Sequence, residues 1–206
     1  MKIGIISDIH GNSEALKVVL EKLTKCERIL CAGDLTGYYP DFNKVIDVVK
    51  NDPRITSILG NHDIYHLKDK NITSVNRKYL RGLKDSLILN IDNLKIGLFH
   101  GSPDDSNKRL YPDSDFSKLE DLHYDFLILG HTHYPMIKKI GKMVIINPGS
   151  VGQPRDFDPR AAYAILNTRK KLVQIYRVRY NIEAVCKKVL SANLDPALCE
   201  ILKRTK

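Results

Sequence analysis

Residues 2–23 read KIGIISDIHGNSEALKVVLEKL. The run KIGIIS (2–7) is short and apolar with isoleucine on alternate positions, the period of a β-strand. Asn12 then offers a side-chain oxygen to cap a helix. In SEALKVVLEKL, Ala15, Leu16, Val19, Leu20 and Leu23 fall on one helical face. The unit recurs: RILCAG (28–33) precedes DFNKVIDVVK (41–50), and RITSILG (54–60) precedes a polar, helix-prone stretch ending near Leu83. Strand and helix in alternation predict βαβ units and a parallel sheet.

The second half has a different rhythm. SLILNI and LKIGLF (94–99) meet at Asp92-Asn93, and FLILG (126–130) is a further core strand. MIKKIG and KMVIIN flank Gly141-Lys142, and AAYAILN and KLVQIYRV (161–178) flank Thr168-Arg169-Lys170, so both read as hairpins. That many strands predict two packed sheets with helices outside, an α/β chain. Residues after 180 predict two short helices broken at Asp195-Pro196. The expectation is one domain over 1–206, with 181–206 a helical tail packed on it.

Composition narrows the class. The 206 residues are 43% hydrophobic and 28% charged, ordinary for a globular protein, and a chain this long buries about 70% of its unfolded surface without disulfides. Asp8 interrupts the first apolar run too early for a signal peptide, and no run approaches the length of a transmembrane helix. Cys26, Cys31, Cys186 and Cys199 form no C-x-x-C pair. They read as reduced thiols in a cytoplasmic protein. Of the net charge of +9, residues 168–206 carry ten Lys/Arg against three Asp/Glu. A basic face of this kind either steers polyanions or is a solvated helix surface.

Each core strand of the first two thirds runs into a ligand-type residue. Asp8 and His10 follow the first, Asp34 the second, Asn61-His62-Asp63 the third, His100 the fourth, and His131 and His133 the fifth. Singly, each has an ordinary role as a turn, cap or hydrogen-bonded residue. Together they point to one site at the carboxyl edge of the sheets. The first turn reads SDIHGN and lacks the G-x-G-x-x-G of a dinucleotide fold. Asp8 and Asp34 would repel a bare phosphate unless cations stood between. Histidine, Asp and Asn without Cys suit Mn, Fe, Zn, Co or Ni, and four imidazoles argue against Mg. Seven candidates exceed the needs of one ion and suit two ions that share a carboxylate. In an extended chain His131 and His133 would start roughly 6–7 Å apart on the same side, within reach of two ions about 3.5–4 Å apart.

The blocks Asp8-Ile9-His10, Gly33-Asp34, Gly60-Asn61-His62-Asp63, His100-Gly101 and Gly130-His131-Thr132-His133 occur in order. Their pattern resembles the calcineurin-like metallophosphoesterases, and NPGSVGQPRD (147–156) is similar to the small bacterial and archaeal phosphoesterase branch. The resemblance implies a four-layer α/β/β/α sandwich of two mixed β-sheets flanked by helices. It implies two divalent metal ions, with Mn first and Fe, Zn, Ni or Co as alternatives. Asp8, His10 and His133 would hold one, Asn61, His100 and His131 the other, and Asp34 both. The activity implied is hydrolysis of phosphodiester or phosphomonoester bonds by water that the ions activate.

His62, not needed as a ligand, is free to protonate the leaving oxygen or to hydrogen-bond a phosphoryl oxygen. Asp63 either orients His62 or is a helix N-terminal carboxylate. Asn12 is a cap or a substrate-binding group; Arg155 touches substrate phosphate or forms a salt bridge. Asn147, Gly149 and Ser150 shape the loop behind the metals. The substrate expected is a small phosphate ester, nucleotide-derived ones included; no nucleic-acid-binding or capping domain accompanies the site, and a homodimer stays open. The competing expectation is a catalytically silent scaffold, like the retromer subunit that keeps this fold. Its sign would be lost ligands, and every ligand position here is filled.

Overall fold

The computed structural model describes residues 1–205. With elements numbered in chain order, the described residues form two five-stranded sheets. In the first, β1 (Lys2–Ile6) is central and runs parallel to β2 (Arg28–Cys31), which runs parallel to β3 (Ile55–Ser57). The crossovers are α1 (Ser13–Lys22) and α2 (Phe42–Asn51), and α3 (Asn61–His66) and α4 (Ser74–Gly82) follow β3. In the second sheet, β5 (Leu94–Phe99), β6 (Phe126–Ile128) and β8 (Met143–Pro148) run parallel. Antiparallel edge strands β4 (Ser86–Ile91) and β7 (Pro135–Ile140) complete it. The last hairpin, β9 (Ala161–Asn167) and β10 (Leu172–Val178), returns to the first sheet, where β9 lies antiparallel to β1. Two mixed sheets with helices are the α/β fold the sequence predicts.

The strand period decides where β1 points. Ile3 and Ile5 lie between the sheets with Ile96, Leu98, Phe126 and Ile128. Ile6 faces the other way, into a core with Ala15, Leu16 and Val19 of α1 and Val45, Ile46 and Val49 of α2. Each such side chain, fully buried, contributes about 1.5–3 kcal/mol. On the outer face of the second sheet, Leu127, Leu129 and Ile145 are covered by Leu110, Phe116 and Leu119. These belong to the long β5–β6 connection, which holds one short 3-10 turn at Ser117–Leu119.

Two strands stop earlier than their apolar runs. β3 ends at Ser57 and β6 at Ile128, so the residues before Asn61 and His131 are already loop. After β10 come α5 (Ile182–Ser191) and α6 (Ala197–Lys203). Val185, Val189, Cys199 and Leu202 pack around Tyr39 of the β2–α2 loop. Lys188 Nζ reaches Glu14 and Asp41, each at 2.6 Å, and so ties α5 to the starts of α1 and α2. Leu202→Ala is expected to lower stability by about 2–5 kcal/mol, in a single urea transition. An earlier, separate loss of helix signal would make the tail an independent unit.

Candidate metal centre

The seven candidate ligands gather at the carboxyl ends of the parallel strands. Three overlapping groups have ligand atoms within 4.8 Å of one another: Asp8, His10 and His133; His10, Asp34 and His62; Asp34, His100 and His131. Asp34 and His10 link the groups. Asp8, His10, Asp34, His100, His131 and His133 are buried, while Asn61 and His62 are half-buried and form the open side.

The backbone is unusual here. Asp8 (φ 55°), His10 (51°), Asp34 (56°), His131 (67°) and His133 (61°) are all left-handed, a region non-glycine residues rarely occupy. The extended-chain spacing expected for His131 and His133 therefore does not hold, because β6 ends at Ile128 and both histidines lie in a tight turn. They still serve different groups. Surrounding hydrogen bonds fix the strained positions. Asp8 N donates to Gly33 O (3.0 Å), His10 N to Asp34 O (2.9 Å) and His131 N to the Asp8 carboxylate (3.1 Å). Two glycines are required by space. A Cβ on Gly60 would collide with the Asp34 carboxylate, and one on Gly130 with Ser7 Oγ.

Three imidazoles are aimed by backbone carbonyls. Nδ1 of His10 meets Thr36 O (3.0 Å), of His100 Ala32 O (2.7 Å) and of His133 Gln153 O (2.6 Å). Nδ1–H donates, so each Nε2 is left for the cluster. His131 is reversed: its Nε2 meets Asn107 O (3.1 Å), which leaves Nδ1. Nε2 of His10 and of His133 lie 3.0 Å apart, and His100 Nε2 lies 3.0 Å from Asn61 Oδ1. Asp34 Oδ2 is buried without a hydrogen-bond partner, 3.5 Å from His10 Nε2 and 3.3 Å from His100 Nε2. Facing lone pairs and an orphaned carboxylate oxygen fit a bound cation.

The electrostatics prepare the same donors. Burial pushes His10 down to about 3 against the pull of Asp34, and burial with His100 pushes His131 down to about 4. Both are neutral imidazoles at neutral pH, the state in which a ring nitrogen can hold a cation. Burial opposes ionisation of Asp34, but His100 and His10 outweigh it and hold it at about 2. Burial opposes ionisation of Asp8 as well, but His133, with His100 and His10, holds it below the usual carboxylate range.

Other expected site residues sort differently. Asn12 is buried; its Oδ1 accepts from Ala15 N (3.1 Å) and its Nδ2 donates to Gly152 O (2.9 Å). Its amide thus serves the helix cap and a loop. Asp63 accepts from Gly60 N (3.0 Å), Leu35 N (3.2 Å), Thr36 N (2.9 Å) and Thr36 Oγ1 (3.0 Å). It braces two loops and forms no hydrogen bond with the His62 ring, so the helix-start reading fits and the orienting one does not. Burial and then Asp34 raise Asp63 to about 6 against those donors. Arg155 has no carboxylate partner among the described residues; it donates to Tyr38 Oη (2.9 Å) and Gln153 Oε1 (3.0 Å). Asn147 Nδ2 holds Gly130 O (2.7 Å), and Ser150 Oγ holds Asp8 O (2.6 Å), as a loop-shaping role requires. Sequence reasoning missed Thr36, Gln153 and Asn107, which act through carbonyls any residue carries, and Tyr38, whose position in GYYP after Asp34 was the one available signal.

Fold and cluster together define a metal-binding α/β sandwich. The calcineurin-like phosphoesterase superfamily domain matches residues 1–171, and the chain belongs to that superfamily, whose members depend on metals. A probable metallophosphoesterase of Methanothermobacter thermautotrophicus is 32% identical, over 86% of this chain and 92% of its own length. A phosphodiesterase of Methanocaldococcus jannaschii is 28% identical, over 72% of this chain and 83% of its own. The crystal structure of a metallophosphoesterase from Sphaerobacter thermophilus superposes with a TM-score of 0.85 at 27% identity, covering 100% of both chains.

Without metal, Asp34 overcomes burial and raises His100 from 6.5 to about 9. A histidine raised on folding stabilises the fold fully below its unfolded pKa, and the contribution is lost as pH rises through the folded value. Chelated protein is therefore expected to lose melting temperature between pH 6.5 and about 9. Metal-loaded protein, which needs deprotonated imidazoles, is expected to lose less; equal profiles would contradict the His100–Asp34 pairing.

Proposed function

We propose that this protein is a phosphoesterase with two divalent ions, acting on phosphodiester or phosphomonoester bonds of small, including nucleotide-derived, substrates. The observation that carries the reading is the Asp34 carboxylate, which links the linked groups of buried donors and keeps an unpartnered oxygen toward them. In this reading Asp8, His10 and His133 hold one ion, Asn61, His100 and His131 the other, and Asp34 both. Bound ions supply Lewis-acid polarisation of the phosphoryl oxygen and a lowered pKa for the attacking water. Manganese is the first metal to try, given imidazole, carboxylate and carboxamide donors without thiolate.

The protein's own groups complete the chemistry. His62 stands on the open side within reach of His10 and Asp34, where it can donate to a phosphoryl or leaving oxygen. Its backbone N–H donates to Asp34 Oδ1 (2.8 Å), which holds the start of α3 against the cluster. Arg155, half-buried and free of carboxylates, suits a substrate phosphate. The relative named a phosphodiesterase supports diesters as the first substrates to test. A silent scaffold is the less economical reading, since every candidate ligand is retained and oriented.

With Mn(II), the protein is expected to hydrolyse bis-4-nitrophenyl phosphate or 4-nitrophenyl phosphate, and EDTA should abolish the rate. Asp34→Asn should lose metal, read by elemental analysis, together with activity. His62→Ala should keep its metal yet lose about 10²–10⁴ in kcat. Undiminished turnover in the chelated protein would sink the reading.

A further inference from the structure

Tyr38, in the loop between β2 and α2, is half-buried beside the cluster. Its ring centroid lies 4.6 Å from that of His10 and 4.8 Å from that of His62. Its Oη lies 2.9 Å from Arg155 Nη2 and 3.3 Å from His62 Nε2. The Arg155 guanidinium also sits 5.6 Å from the Tyr38 ring centroid, and its remaining hydrogen bonds go to Gln153 Oε1.

The donor inventory gives this chain a direction. A guanidinium has five N–H donors and no acceptor. Tyr38 Oη therefore accepts from Arg155 and keeps its own proton to give, and the acceptor in reach is His62 Nε2. A neutral imidazole carries one proton, so with Nε2 accepting, the proton resides on Nδ1. The opposite arrangement would set two donors, one of them cationic, against one phenol oxygen.

We propose that Tyr38, locked by Arg155, is a positioning residue that holds His62 in the neutral Nδ1–H tautomer, so that His62 serves the reaction as a hydrogen-bond donor to a phosphoryl oxygen. This rests on the phosphoesterase reading and decides between the two tasks open to His62. A neutral imidazole that donates without giving up its proton stabilises charge on the non-bridging oxygens. The leaving oxygen then takes its proton from solvent. No bond to His62 forms or breaks.

Nitrogen-15 spectra of the His62 ring in zinc-loaded protein test the tautomer without requiring turnover. Nδ1–H is expected in the wild type, with Nε2–H gaining population in Tyr38→Phe, which keeps the ring and loses only the hydroxyl. Nε2–H in the wild type, or an unchanged tautomer in the variant, overturns the proposal. Should Tyr38→Phe fail to fold, Arg155→Met removes the lock and is expected to shift the tautomer the same way. In turnover, Tyr38→Phe is expected to lose about 10–100-fold in kcat, with KM little changed. The loss should be equal for aryl phosphodiesters with good and poor leaving groups, and His62→Ala should show the same equality. A loss confined to poor leaving groups would make His62 a proton donor and overturn the proposal while the phosphoesterase reading stands. No turnover of any ester by the wild type would end that reading, with the tautomer still decided by the spectra.

Discussion

The Asp34 carboxylate is the constraint on which the rest depends. It leaves β2 in a left-handed backbone conformation and accepts the His62 N–H on one oxygen, while the other faces His10 and His100 without a hydrogen bond. Gly60 must be glycine because Asp34 fills the space where a Cβ would go. Asp63, through Leu35, Thr36 and Gly60, ties the loop that carries Asp34 to the start of α3. A buried carboxylate in this state is costly unless compensated. In the metal-free protein the compensation comes from His100; with metal bound, the cation takes that part.

The tilt of the site follows from packing outside it. Two sheets bury Ile3 and Ile5 against Phe126 and Ile128, which sets the carboxyl ends of β1 and β6 side by side. Asp8 and His131 then meet through a hydrogen bond from the His131 backbone N–H to the Asp8 carboxylate, between loops 123 residues apart in sequence. The tail adds a second support. Tyr39 packs on α5 and α6 and accepts from Gln153, whose carbonyl holds His133. The hydrophobic core thus reaches the cluster through only a few rigid contacts, which is how a strained loop can stay in one conformation.

Several polar residues that resemble site groups in sequence turn out to serve loops. Asn12 and Asp63 are of this kind, both buried and hydrogen-bonded to loop or cap backbone. Arg155 is the reverse: beside Asp156 and Asp158 in sequence it looks ready for an ion pair, yet Arg177 and Arg160 take those carboxylates. Nearness along the chain did not decide these pairings, because loop residues find partners through space. The carbonyls that aim the histidines were beyond reach for a similar reason, since a backbone acceptor leaves no mark on residue type.

The sequence by itself determined the order and kind of the elements, the alternation that makes β1 to β3 parallel, the turn residues of the hairpins and the identities of the clustered donors. These follow from local properties: side-chain period, capping chemistry and turn propensity. Tertiary structure alone decided that the last hairpin returns to β1, that the outer face of the second sheet is covered by a long connection, and that His131 presents Nδ1 where the other histidines present Nε2. It also decided that Asp8, His10, Asp34, His131 and His133 stand in left-handed backbone conformations past the strand ends. Those outcomes depend on contacts between residues distant in the chain, where burial and hydrogen-bond satisfaction override local preference.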